Sequence, residues 1–108
     1  GDVELVERIL AMFSRKSADV FAAQIATLLD RPDASDVLRG LRVPTLLCCG
    51  AQDSWSPPSQ HADMHRLVPP STAAVLDTIS DAGHMAPMER PEAMAAVLRR
   101  WLEVVDLA

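Results

Sequence analysis

Val43-Pro44-Thr45-Leu46-Leu47-Cys48-Cys49-Gly50 is a short apolar run that follows a proline and ends in a glycine. A strand buried on both faces reads this way. Working outward toward the C-terminus, residues 51–56 form a polar loop. Pro57 and Pro58 suit the first turn of a helix, where a missing N–H has no consequence. That helix is expected to run to about Val68, where Pro69 and Pro70 stop it. Residues 73–79, Ala-Ala-Val-Leu-Asp-Thr-Ile, read as a second strand, followed by a loop over 80–90. Pro91 opens a last helix, and its Met94, Val97, Leu98, Trp101 and Leu102 fit one helical face. Strand, helix, strand, helix implies two parallel strands joined by a right-handed crossover. The fold class is therefore α/β.

Working outward toward the N-terminus, the texture is helical. Residues 2–13 place Leu5, Ile9 and Phe13 on one face, with Val6 and Leu10 beside them and Asp2 as the cap. Residues 19–29 repeat the pattern with Phe21, Ile25 and Leu28, and this helix ends before Pro32. Residues 33–39 suggest a short third helix, capped by Asp33 and closed by Gly40. The chain divides into a helical segment, 1–36, and a βαβα segment, 37–108.

Bulk properties exclude several classes of function. With 108 residues the chain is large enough for one modest core, and 49% apolar content argues against disorder. Ten basic residues against fifteen acidic ones give a net charge of −5, and Lys16 is the single lysine. Phosphate binding needs clustered cations, so nucleic acid is not an expected partner. No apolar run is long enough to span a bilayer, and no signal-peptide pattern is visible at the N-terminus. Cys48 and Cys49 are adjacent on a strand and so point to opposite faces, which makes a bridge between them strained. They read as buried thiols in a reducing compartment, and the expected location is cytoplasmic.

In open parallel sheets, ligands gather beyond the carboxyl ends of the strands. Asp53 lies four positions past Cys49, and His84 five past Ile79. If the strands are neighbours, both loops open on one edge and the two side chains come within reach. A carboxylate that holds one ring nitrogen of a histidine fixes its tautomer and leaves the other nitrogen to take a proton. On spacing alone, two loop residues making local hydrogen bonds remain the alternative.

These same residues carry a family resemblance. Val43-Pro44-Thr45-Leu46 through Gly50-Ala51-Gln52-Asp53, followed by Pro57-Pro58, resembles the segment of α/β-hydrolases that bears the acid of the catalytic triad. Ala82-Gly83-His84-Met85, with Glu89, Pro91 and then Trp101-Leu102, resembles their histidine segment and final helix. The resemblance covers about residues 37–104, and helices before such a block resemble the end of the family's cap region. It implies the C-terminal part of the hydrolase sheet, with Asp53 as triad acid, His84 as general base, and Glu89 and Pro91 as structural positions. It also implies a small-molecule substrate, an ester by default, and no cofactor.

The chain departs from the family pattern at the nucleophile. The family's serine sits in a Gly-x-Ser-x-Gly turn upstream of the acid. No serine or cysteine of this sequence has that glycine frame. The expectation is a C-terminal portion that supplies acid and histidine, is inactive alone, and self-associates or pairs with a missing N-terminal half. The rival expectation is a non-catalytic remnant that acts as a self-associating interaction module.

His61 and His65 share helical spacing, but two ligands do not close a metal site, so they read as a solvated face. Trp55 and Met85 are candidate pocket-lining residues. Trp55 is equally a plug beneath its loop, and Met85 and Met88 are equally core fillers. Arg99 and Arg100 read as the wet face of the last helix.

Overall fold

The computed structural model describes residues 2–107. They fall into two compact units, 1–33 and 34–108.

The first unit holds α1 (Asp2–Ser14) and α2 (Ala18–Leu29). Asp2 lies inside the first turn of α1, not at its cap. The cap of α2 is Ser17, whose hydroxyl accepts the Val20 N–H at 3.2 Å. Neither helix buries a residue, and Leu10, Phe13, Phe21 and Leu28 all remain exposed. The periodicity that predicts these helices is thus present, while their apolar stripes have no cover within the unit. An open cleft of about 620 Å³ lies beside the C-terminal half of α2, between Gln24 and Pro32.

The second unit carries α3 (Ser35–Arg39), β1 (Thr45–Gly50), α4 (Pro58–Leu67), β2 (Ala74–Ile79), α5 (Ala86–Glu89) and α6 (Pro91–Leu107). Both strands form one parallel sheet, in register from Thr45 opposite Ala74 to Gly50 opposite Ile79. This is the expected α/β arrangement, with α4 as the crossover packed on both strands. Period two places Leu46, Cys48, Val75, Asp77 and Ile79 on one face. On that face Ile79, Ala82, Ala86 and Val97 form the core, with Leu46, Cys48 and Met94 packed against it.

Several local expectations need correction. Ala34, not Asp33, sits at the cap position of α3, and no side chain caps that helix. The loop over 80–90 contains a helical turn, α5, with Pro87 in its first turn. Four residues are too few to show a period, so the pattern had nothing to register. His61 and His65 are not a solvated face. Both are half-buried, with ring nitrogens bonded to the carbonyls of Pro57 (3.2 Å) and Ala74 (3.1 Å). Arg99 and Arg100 are exposed as expected, and Arg100 also pairs with Asp77 of β2 at 2.9 Å. Leu98 and Leu102 are exposed although they share the apolar face of α6. No helix among the described residues is long and apolar enough to cross a membrane.

Candidate active site

Two loops leave the carboxyl edge of the sheet, one from Gly50 and one from Ile79, which stand opposite each other. The loops are tied together through backbone. Ala51 N–H donates to the Ile79 carbonyl and Gln52 N–H to the Ala82 carbonyl, both at 2.8 Å. Gly50 makes this approach possible, because a Cβ there would fall on the carbonyl oxygens of Ala82 and Gly83. Between β2 and the histidine, Asp81 adopts left-handed backbone (φ 55°), a conformation that aspartate tolerates better than most residues. The Glu89 carboxylate then accepts the Gly83 N–H at 2.9 Å, fixing the loop from its far side.

Asp53 is buried within this frame, with 5% of its side chain exposed. One carboxylate oxygen, Oδ1, accepts the backbone N–H groups of Trp55 and Ser56, each at 3.0 Å. Oδ2 stands 3.0 Å from His84 Nδ1. The Ser56 N–H, aided by His84 and the Trp55 N–H, outweighs burial and holds the Asp53 carboxyl below the usual carboxylate range. Asp53 is therefore ionised at neutral pH and can only accept hydrogen bonds. Nδ1 must carry the hydrogen in this contact, which leaves Nε2 as the basic nitrogen of a neutral ring.

His84 is half-exposed, with 49% of its side chain open. It has no second hydrogen-bond partner among the described residues. A cavity of about 230 Å³ adjoins the pair, lined by Asp53 and His84 together with Cys49, Gly50, Ser56, His61, Ala86 and Met94. Trp55 and Met85 are outside that lining. Trp55 instead lies over His84, with ring centroids 5.0 Å apart and planes tilted by 40°. It is 77% exposed, so it is not a plug beneath the loop. Met85 is half-buried at the cap position of α5. Sequence reasoning missed His61 and Ser56 as cavity residues, since neither carries a signal beyond its helix or loop position. Both cysteines are free thiols, and burial first, then the neighbouring Asp77 or Asp53, raises their pKa. No group of three or more histidine, cysteine or acidic side chains suited to a metal occurs among the described residues.

This arrangement can hold a neutral imidazole in one tautomer, accept a proton at Nε2, and stabilise the resulting cation with a buried carboxylate. No protein-family model matches the chain, and no curated protein does. Two solved structures are similar to it. One is a thermophilic esterase from Thermogutta terrifontis, solved with malate bound, at 41% identity and a TM-score of 0.64. That match covers 69% of this chain and 26% of the esterase. The other is an α/β-hydrolase enzyme from a sediment metagenome of the Mar Chica lagoon, Morocco, at 30% identity and a TM-score of 0.69. It covers 94% of this chain and 45% of that enzyme. The chain thus spans less than half the length of either, and over that span its fold is that of an α/β-hydrolase.

Proposed function

We propose that this chain supplies the acid, Asp53, and the general base, His84, of a Ser-His-Asp triad that hydrolyses a small-molecule ester. The observation that carries the reading is the 3.0 Å contact from His84 Nδ1 to a buried carboxylate, with no second hydrogen-bond partner for the ring among the described residues and a cavity beside it. The esterase among the similar structures supports the choice of an ester. In the complete site, a serine from outside these 108 residues attacks the carbonyl carbon and gives its proton to His84 Nε2. The Asp53 carboxylate stabilises the imidazolium while backbone N–H groups of the absent part hold the oxyanion. The segment 1–36 then belongs to the cap region and 37–108 to the catalytic core. A reducing, cytoplasmic setting is part of the same proposal.

The test is to read the frame on the N-terminal side of Gly1 for a Gly-x-Ser-x-Gly turn and to express the whole frame. Replacing His84 or Asp53 by alanine should lower ester turnover by about 10⁴-fold. Turnover unchanged in either variant, or serine-dependent turnover by the 108-residue chain alone, would contradict the proposal.

A second reading has its own support. The exposed apolar faces of α1 and α2 and the two-stranded sheet favour a self-associating module. Light scattering across a concentration series separates it from a chain that stays monomeric until its missing half is added.

A further inference from the structure

We infer that Trp55 is the contact for the leaving group and selects esters whose alcohol is a neutral aromatic one, an inference that rests on the triad reading above. Trp55 is tied to the site twice. Its backbone N–H donates to Asp53 Oδ1 at 3.0 Å, and its ring lies 5.0 Å from that of His84. Yet most of the indole is uncovered, at 77% exposure. A tryptophan that fills a core has its ring enclosed, whereas this one presents a large flat apolar surface at a fixed place beside the base.

The chemistry decides which half of the substrate meets it. When the tetrahedral intermediate collapses, the bond from the former carbonyl carbon to the alcohol oxygen breaks. The electron pair stays on that oxygen, which takes the proton from His84 Nε2, and the acyl carbon remains bonded to the serine oxygen. The alcohol oxygen must therefore come to roughly 2.6–3.2 Å from Nε2. An aryl ring attached to that oxygen begins one bond further on, within reach of an indole whose centroid is 5.0 Å from that of the same imidazole. The acyl part lies across the breaking bond and needs no contact with His84. Charge narrows the class further. Among the described residues no lysine or arginine lines the adjacent cavity, and ionised Asp53 only accepts hydrogen bonds, so no permanent cation there pairs an anionic alcohol.

The experiment uses the 108-residue chain, labelled with ¹⁵N in tryptophan and histidine, titrated with phenol, cyclohexanol and acetate. Phenol should shift the Trp55 indole N–H and the His84 ring resonances together and saturably, with affinity on the order of millimolar. Cyclohexanol should bind more weakly, and acetate should leave Trp55 unmoved. Trp55→Phe should keep phenol binding, while Trp55→Ser should weaken it roughly two- to tenfold. The His84 tautomer in Trp55→Ser should stay as in the parent, which separates a lost contact from a disrupted site. Phenol binding unchanged by Trp55→Ser, or an equal response to acetate, overturns the inference. So does a Trp55 resonance that moves with protein concentration alone, which means that a second copy covers the ring. If the His84 tautomer does not depend on Asp53, the triad reading fails instead, whatever phenol does.

Discussion

Asp53 combines burial with ionisation, and its three hydrogen bonds make that possible. Its pKa is depressed on folding, so it contributes stability that is fully present above the unfolded value of about 3.9 and is lost as pH falls through the lower folded value. Asp53→Asn should therefore unfold at lower urea than the parent at neutral pH, and the gap should shrink as pH falls below 4 or so. A gap that stays constant into acid would show that the carboxylate charge is not what stabilises this loop. Gly50 has a separate role, since a side chain there collides with backbone and not with a flexible neighbour. Gly50→Ala should destabilise the chain by about 1–3 kcal/mol in urea titrations, as overpacking does elsewhere. Cys49 should alkylate slowly at neutral pH, because burial and the nearby Asp53 charge both disfavour its thiolate. Fast labelling of the native chain would contradict its placement.

At the scale of elements, the histidine loop depends on α5 and the residue that ends it. Glu89 accepts the Gly83 N–H from the turn just before Pro91. Glu89→Ala should leave that N–H unpaired and lower stability by about 1–3 kcal/mol, whereas Glu89→Gln, which keeps an acceptor, should recover most of it. Equal losses in both variants would mean that the carboxylate charge matters more than the bond. The two strands and the four longer helices were legible in the sequence because each carries a period or a proline boundary. The Asp53–His84 pair was legible in spacing only as one of two readings, and the family resemblance favoured it over local hydrogen bonds. What escaped has physical reasons. α5 is shorter than any period. Its Glu89 finds Gly83 through a fold of the loop that no spacing rule describes. His61 was misread because its ring turns back to the Pro57 carbonyl one turn earlier, and His65 because its partner, Ala74, is set by how α4 packs on β2.

At the scale of the whole molecule, the chain covers less than half of either similar enzyme, and its surface is consistent with that. Several large apolar side chains are exposed, Phe13 and Phe21 among them. The proposed chemistry places its acid and base inside the 108 residues, where no serine stands in the family's glycine frame. Asp53 is proposed to set His84 up as a base, and the tautomer of the His84 ring tests this most directly. Long-range ¹H–¹⁵N correlation spectra in mildly alkaline buffer should show the hydrogen on Nδ1 in the parent chain and its shift to Nε2 in Asp53→Ala. A His84 ring protonated on Nε2 in the parent, or a tautomer indifferent to Asp53, would contradict the account.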